Sequence, residues 1–184
     1  MNIFTAIAVT AITTTITVTI IPNTAFWGFW RVCCESKELP KGCECFDISS
    51  KSDFTNSVYQ LPTCPDKLGV KFLFYDRGHN QTAQGISAGQ KNILKTSFSG
   101  KRETVIICHG FTDEGTAPWM IATKDALLET GDFNVILVDW KFGAAGPKYF
   151  QAVANTRMVG ALIARLIWDL HVYTAADFKV GAKE

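Results

Sequence analysis

Two short stretches of this chain have residue types and spacing suited to acyl chemistry. The first is His109-Gly110-Phe111, directly after the apolar run Thr104 to Cys108. A glycine at the end of a buried strand lets the chain turn tightly, so that the next backbone N–H can point at a developing alkoxide. Each such donor is worth about 3–4 kcal/mol in acyl transfer. On this reading Phe111 presents the N–H, its ring lines an acyl pocket, Gly110 makes the turn and His109 precedes it. The bland alternative is a plain turn, because a His beside a Gly is common in turns.

The second stretch is Gly85-Ile86-Ser87-Ala88-Gly89, a literal match to the Gly-x-Ser-x-Gly nucleophile pattern. That pattern works only on a sharp strand-to-helix turn that lifts the serine above a sheet. Here the preceding residues, His79 to Gln84, are too polar for a buried strand, and no convincing helix follows before Lys95. Asp139 and His171 would complete a triad order formally, but His171 ends an amphipathic helix and nothing brings it to Ser87. The segment reads as a loop. His79 reads as solvated, and His171 meets the C-terminal end of a helix dipole. Neither has partners at metal-ligand spacing. There is no P-loop and no dinucleotide-type glycine run, so no cofactor and no metal are expected.

The elements around these stretches alternate. Val70 to Tyr75 reads as a strand, and Asp76 to Ser99 as a long loop with a short strand near Asn92 to Leu94. Thr104 to Cys108 and Val135 to Val138 read as strands buried on both faces. Between them a helix is expected from an N-cap at Thr116, with Pro118 in its first turn, to about Thr130. The strongest helix runs from Tyr149 to His171, with Val159, Leu162, Ile163, Leu166 and Leu170 on one apolar face. Strand, helix, strand, helix predicts an α/β protein, with a mostly parallel sheet and flanking helices. Phe178-Lys179-Val180 would open the next strand.

The N-terminal third differs. Ile3 to Ile21 has no charged side chain, and Pro22-Asn23-Thr24-Ala25 supplies a small-residue exit, so residues 1–25 read as a secretory signal peptide. A membrane anchor is the rival, but the many threonines make a stable span unexpected. Residues 26–66 form a Cys-rich segment. Cys33, Cys34, Cys43 and Cys45 crowd together, and in an exported chain that favours disulfides, with Cys33 or Cys34 joined to Cys43 or Cys45. Zinc is the rival there, against which stand the C-x-C spacing and the lack of a nearby His. Cys108 reads as a buried thiol. Asn80-Gln81-Thr82 is an N-glycosylation acceptor triplet. The 18 Lys+Arg nearly balance the 17 Asp+Glu, so no nucleic-acid partner is implied.

Four stretches, in order and well spaced, resemble the pancreatic lipase family of animal lipases and A1-type phospholipases. They are Leu61-Pro62-x-x-Pro65 with Lys71 to Tyr75; Val105 to Phe111 with Thr112, Asp113, Gly115 and Trp119; Val138-Asp139-Trp140; and Tyr149-x-Gln151-Ala152 with Asn155, Arg157, Val159 and Gly160. Val32-Cys33 and Cys45-Phe46 resemble that family's small N-terminal disulfide loop. The resemblance implies an α/β-hydrolase fold, secretion to the extracellular space, and hydrolysis of carboxylic esters of lipids at a lipid–water interface. It gives Phe111 the first oxyanion N–H, places Tyr149 near the acyl pocket, and makes Asp139 and Trp140 structural. It also places a Gly-His-Ser-Leu-Gly elbow straight after Phe178, where Lys179 to Glu184 departs from the pattern. Residues 67–184 are therefore expected to be an incomplete lipase domain, a partial α/β-hydrolase fold truncated before the nucleophile elbow, without the catalytic Ser, Asp and His. The alternative is a non-catalytic secreted protein that binds lipid or another protein.

Overall fold

The computed structural model describes the backbone of residues 31–33, 45–47 and 61–180, and side chains within 61–173. The elements are β1 (Arg31–Cys33), β2 (Cys45–Asp47), α1 (Pro65–Leu68), β3 (Lys71–Tyr75), β4 (Gln84–Ile86), β5 (Thr104–Cys108), α2 (Pro118–Thr130), β6 (Asn134–Asp139), α3 (Lys141–Ala144) and α4 (Tyr149–Val180), with 3-10 turns at Arg77–His79 and Lys91–Lys95. β1 and β2 pair antiparallel, with Cys33 opposite Cys45. The signal-peptide stretch and the positions of Cys34 and Cys43 lie outside the described residues.

The main sheet has the order β4-β3-β6-β5. Among the described residues its one parallel pair is β5 with β6, while β3 runs antiparallel to both β4 and β6. The expectation of a mostly parallel sheet is thus corrected to a mixed one. Sequence periodicity marks a strand as buried but not its direction, and direction follows from connection length. The β5–α2–β6 connection is long enough to cross over and return parallel, as parallel neighbours require. β3 enters the sheet on the other side of β6.

Alternation sorts the core into two layers. On one face Phe72, Phe74, Ile106, Ile136 and Val138 pack with Leu162, Leu166 and Leu170 of α4. On the other, Tyr75, Ile107, Val135 and Leu137 pack with Met120 and Leu128 near or within α2. All four of Val135 to Val138 are 0% exposed, because β6 is covered on both faces and paired on both edges. The apolar face expected on α4 is the one that is buried.

Three local expectations change. Asn92 to Leu94 lies in the 3-10 turn Lys91–Lys95, while the extended pairing falls on Gln84–Ile86. The N-cap of α2 is Ala117, not Thr116, with Pro118 at the first helical position and no side-chain cap. Pro118 suits that position because its missing N–H has no helical partner to lose. Finally, Phe178 to Val180 continues α4 instead of opening a strand.

Candidate active-site turn

The turn after β5 is held by residues just after β6. His109 and Trp140 follow the C-terminal ends of two adjacent parallel strands, where ligand sites of open α/β sheets form. The Trp140 backbone N–H donates to His109 Nε2 at 3.0 Å, and the indole N–H donates to the His109 carbonyl at 2.8 Å. The rings stack at 5.5 Å and 13°. An acceptor at Nε2 puts the ring proton on Nδ1, which donates to the Gly110 carbonyl at 2.9 Å. His109 is 3% exposed. Both its nitrogens are thereby occupied in holding the turn, and neither is left for a proton relay. The 3.4 Å approach of Asp139 Oδ1 to Nε2 is proximity without a shared proton.

Asp139 braces the same corner. Its Oδ1 accepts from the Gly115 N–H at 3.1 Å and the Lys141 N–H at 3.2 Å. Gly115 sits so close that a Cβ there would lie 2.4 Å from Asp139 Cβ and 2.9 Å from its Cα. Asp113 accepts from the Trp119 indole N–H at 2.7 Å, tying the turn to the first turn of α2. Thr112 is left-handed at φ 61°, rare for a β-branched residue. It is held by its N–H donating to the Ala144 carbonyl at 2.8 Å.

Between these anchors, the Phe111 N–H makes no hydrogen bond among the described residues. Gly110 is exposed with open space around it. The Phe111 ring meets Tyr149 edge-on at 5.2 Å and 86°, and Tyr149 meets Phe150 at 5.9 Å. Tyr149, Phe150 and Phe142 are more than half exposed, forming an aromatic surface beside the turn. A cleft of about 420 Å³ lies alongside, lined by Thr112, Asp113, Glu114, Lys141 and Gly146 among others. Neither Phe111 nor Tyr149 is among its lining residues.

Other polar groups do not form a relay with this turn. Ser87 follows β4 and exchanges hydrogen bonds with Asn92, at 3.1 Å to its N–H and 3.4 Å to its Oγ. The neighbouring Gly89 N–H donates to Asp169, which also accepts from Arg165. These contacts make Ser87 part of a braced loop. At the far end of the sheet, Asp76 and Ser97 approach His79, but both at Nδ1, at 2.9 and 3.3 Å. A Ser-His-Asp relay needs its partners on opposite ring nitrogens. Cys108 beside His109 is no nucleophile at neutral pH, since burial pushes its thiol up to about 11 despite a hydrogen bond with Trp140. Among the described residues no His/Cys/Asp/Glu group could hold a metal ion, and no helix is long and apolar enough to cross a membrane.

The motif residues that had no stated role are pins. Asn155, 2% exposed, donates to the Gly143 carbonyl at 3.0 Å and accepts from the Thr63 N–H at 2.8 Å. Gln151 donates to the Leu61 carbonyl at 2.7 Å. Together they fasten α3 and the Leu61–Pro65 segment to α4. A polar pair spaced i, i+4 on the inner side of an otherwise apolar helix was the available signal.

Residues 36–178 match the family described as Lipase. The chain belongs to the lipase family. Pancreatic triacylglycerol lipase of Oryctolagus cuniculus is 37% identical over 110 residues, covering 60% of this chain and 23% of that protein. The Mus musculus protein of the same name is 32% identical over 126 residues, or 68% of this chain and 27% of that one. Inactive pancreatic lipase-related protein 1 of Homo sapiens is 35% identical over 108 residues, or 58% and 23%. The chain spans about a quarter of the length of these lipase relatives.

Proposed function

We propose that this chain is the oxyanion-turn portion of a secreted lipase that hydrolyses carboxylic esters of lipids. One observation carries the reading. The Phe111 N–H makes no hydrogen bond among the described residues just after β5, while the His109 ring, the Trp140 N–H groups, the Thr112 N–H and the Asp139 carboxylate around it are bonded. A donor kept free on a braced turn can accept an alkoxide without reorganising, which is the basis of oxyanion stabilisation. In the proposed reaction a serine oxygen attacks the ester carbonyl, and the electron pair displaced onto the carbonyl oxygen is stabilised by this N–H. Phe111 and Tyr149 wall the acyl chain. The described residues assemble no nucleophile–base pair, so the nucleophile has to come from elsewhere in the functional protein, and these 184 residues by themselves are expected not to turn over ester.

The rest of the chain fits export. Residues 1–25 serve as a leader, 26–66 as a Cys-rich segment and 67–184 as the lipase portion. Cys33 opposite Cys45 in an antiparallel pair suits a disulfide, since facing residues there lie about 4.5–5.5 Å apart at Cα.

The test is to sequence the transcript through and beyond the codon for Glu184, then assay its product on a tributyrin emulsion. A continuing frame with a Gly-x-Ser-x-Gly elbow should give hydrolysis, and Phe111→Pro, which deletes the N–H, should lower it about 10²–10³-fold. An intact elbow with turnover indifferent to Phe111→Pro would sink the assignment. A second reading, a non-catalytic lipase-like binder, draws on the resemblance to the inactive human relative. It gains if the frame stops and the purified chain still binds lipid emulsions.

A further inference from the structure

Asn80-Gln81-Thr82 is the single Asn-x-Ser/Thr triplet in the sequence, and the lipase reading has no use for it. It occupies the bend between the 3-10 turn Arg77–His79 and β4, and all three residues are exposed. The backbone around it is nonetheless anchored. Arg77 donates through Nε and Nη2 to the Leu128 and Glu129 carbonyls near the end of α2, at 2.9 and 3.2 Å. From α2, the Lys124 ammonium returns to the Asn80 carbonyl, its nitrogen 4.8 Å from the centre of the Tyr75 ring. Lys124 is 2% exposed, so this brace is internal and the Asn80 side chain projects from its outer side into solvent. No hydrogen bond among the described residues involves the Asn80 side-chain amide. β4, which the bend enters, is an edge strand of the main sheet, so among the described residues no further strand crowds the site. A bulky polar group attached here displaces no packed atom and breaks no hydrogen bond among the described residues.

We propose that Asn80 carries an N-linked oligosaccharide, an inference that rests on the export reading. The donor is a lipid-diphosphate-linked oligosaccharide. Asn80 Nδ2 forms a bond to the anomeric carbon as that carbon's bond to the diphosphate oxygen breaks. The lipid diphosphate leaves with the electron pair, and Nδ2 gives its proton to a base of the transferase. Thr82 supplies the hydroxyl that the acceptor triplet requires.

The test is expression of the full 184-residue chain in cultured animal cells, followed by peptide-N-glycosidase F. Chain recovered from the membrane-enclosed fraction or the medium should show one discrete mobility step on treatment. The step should vanish in Asn80→Gln and Thr82→Ala and persist in Thr82→Ser. Translocated chain without the step overturns the inference. If the chain instead stays accessible to added protease in the cytosolic fraction, the export reading fails. A second version, with residues 1–25 replaced by a proven leader, then tests Asn80 alone, and absence of the step there overturns the inference in turn. Because the transfer is made on the emerging chain, the readout holds even for variants that fold poorly.

Discussion

A histidine and an aspartate stand together at each end of the main sheet, and the two ends are built differently. At one end, beyond β5 and β6, His109 is buried, both its nitrogens bond to or near the backbone, and Asp139 accepts from two backbone N–H groups. At the other end, roughly 17 Å away along β6, Asp76 is buried beneath His79, Ser97 and Arg102, and Arg102 also reaches Asp132. Burial pushes the Asp76 carboxyl up, but hydrogen bonds from Ser97, His79 and Arg102 together outweigh it and hold the group below the usual carboxylate range. The first end uses neutral donors and leaves the Phe111 N–H without a partner among the described residues. The second uses charge, and its carboxylate is fully engaged. A His–Asp contact is therefore not evidence of catalysis. What separates a reactive corner from a structural one is whether a directed donor remains unfilled beside open space.

Substitutions at the two ends should differ in size and in pH dependence. The largest effect is expected from Gly115→Ala, where the new Cβ collides with Asp139 backbone and side chain at distances no real contact shows. Overpacking of this kind costs about 3 kcal/mol or more, read as a lowered denaturant midpoint or loss of soluble protein. A midpoint within experimental error of wild type would mean that β6 shifts freely, and the picture of a rigid corner would fail. Next is His109→Ala, which strips the buried Trp140 N–H of its acceptor and leaves a cavity, at about 2–3 kcal/mol. The far end should be softer. Asp76→Asn loses the Arg102 pairing at about 1–2 kcal/mol.

Asp76→Asn also carries a pH signature. A carboxyl held below its unfolded value, about 3.9, stabilises the fold fully above that pH, and the contribution disappears as pH falls through the folded value. Wild-type stability should thus fall faster than that of Asp76→Asn in acid titrations below about pH 4, and the variant's deficit should shrink there. Parallel acid limbs would refute the assignment. The smallest effect belongs to Tyr149→Ala. An exposed edge-to-face pair with Phe111 contributes about 0.5–1.5 kcal/mol beyond area burial, so the melting temperature should move little. Under the proposed function its larger consequence is on acyl-chain affinity, measured as fluorescence binding of a fatty-acid probe.

Much of this architecture was legible in the residues. The β-branched runs at Thr104 to Cys108 and Val135 to Val138 could only be strands covered on both faces, and the spacing of Val159, Leu162, Leu166 and Leu170 dictated a helix with one buried side. Gly110 after a buried strand marked the turn. These are local properties, set by side-chain periodicity and by the conformations that glycine and proline permit.

The direction of β3 and the 3-10 turn at Lys91–Lys95 depend on partners far along the chain, and no local pattern encodes them. The same holds within the site. His109 was visible as a residue beside a turn. That it holds the turn through Trp140, thirty-one positions on, was decided when two parallel strands came to end side by side. Likewise Gly115 looked like any loop glycine until the fold set it against Asp139. Sequence alone determines which segments must be buried and where the chain can bend. Which polar groups then meet, and which N–H groups are left without a partner, is settled only by packing, because a hydrogen bond needs both partners within about 3 Å.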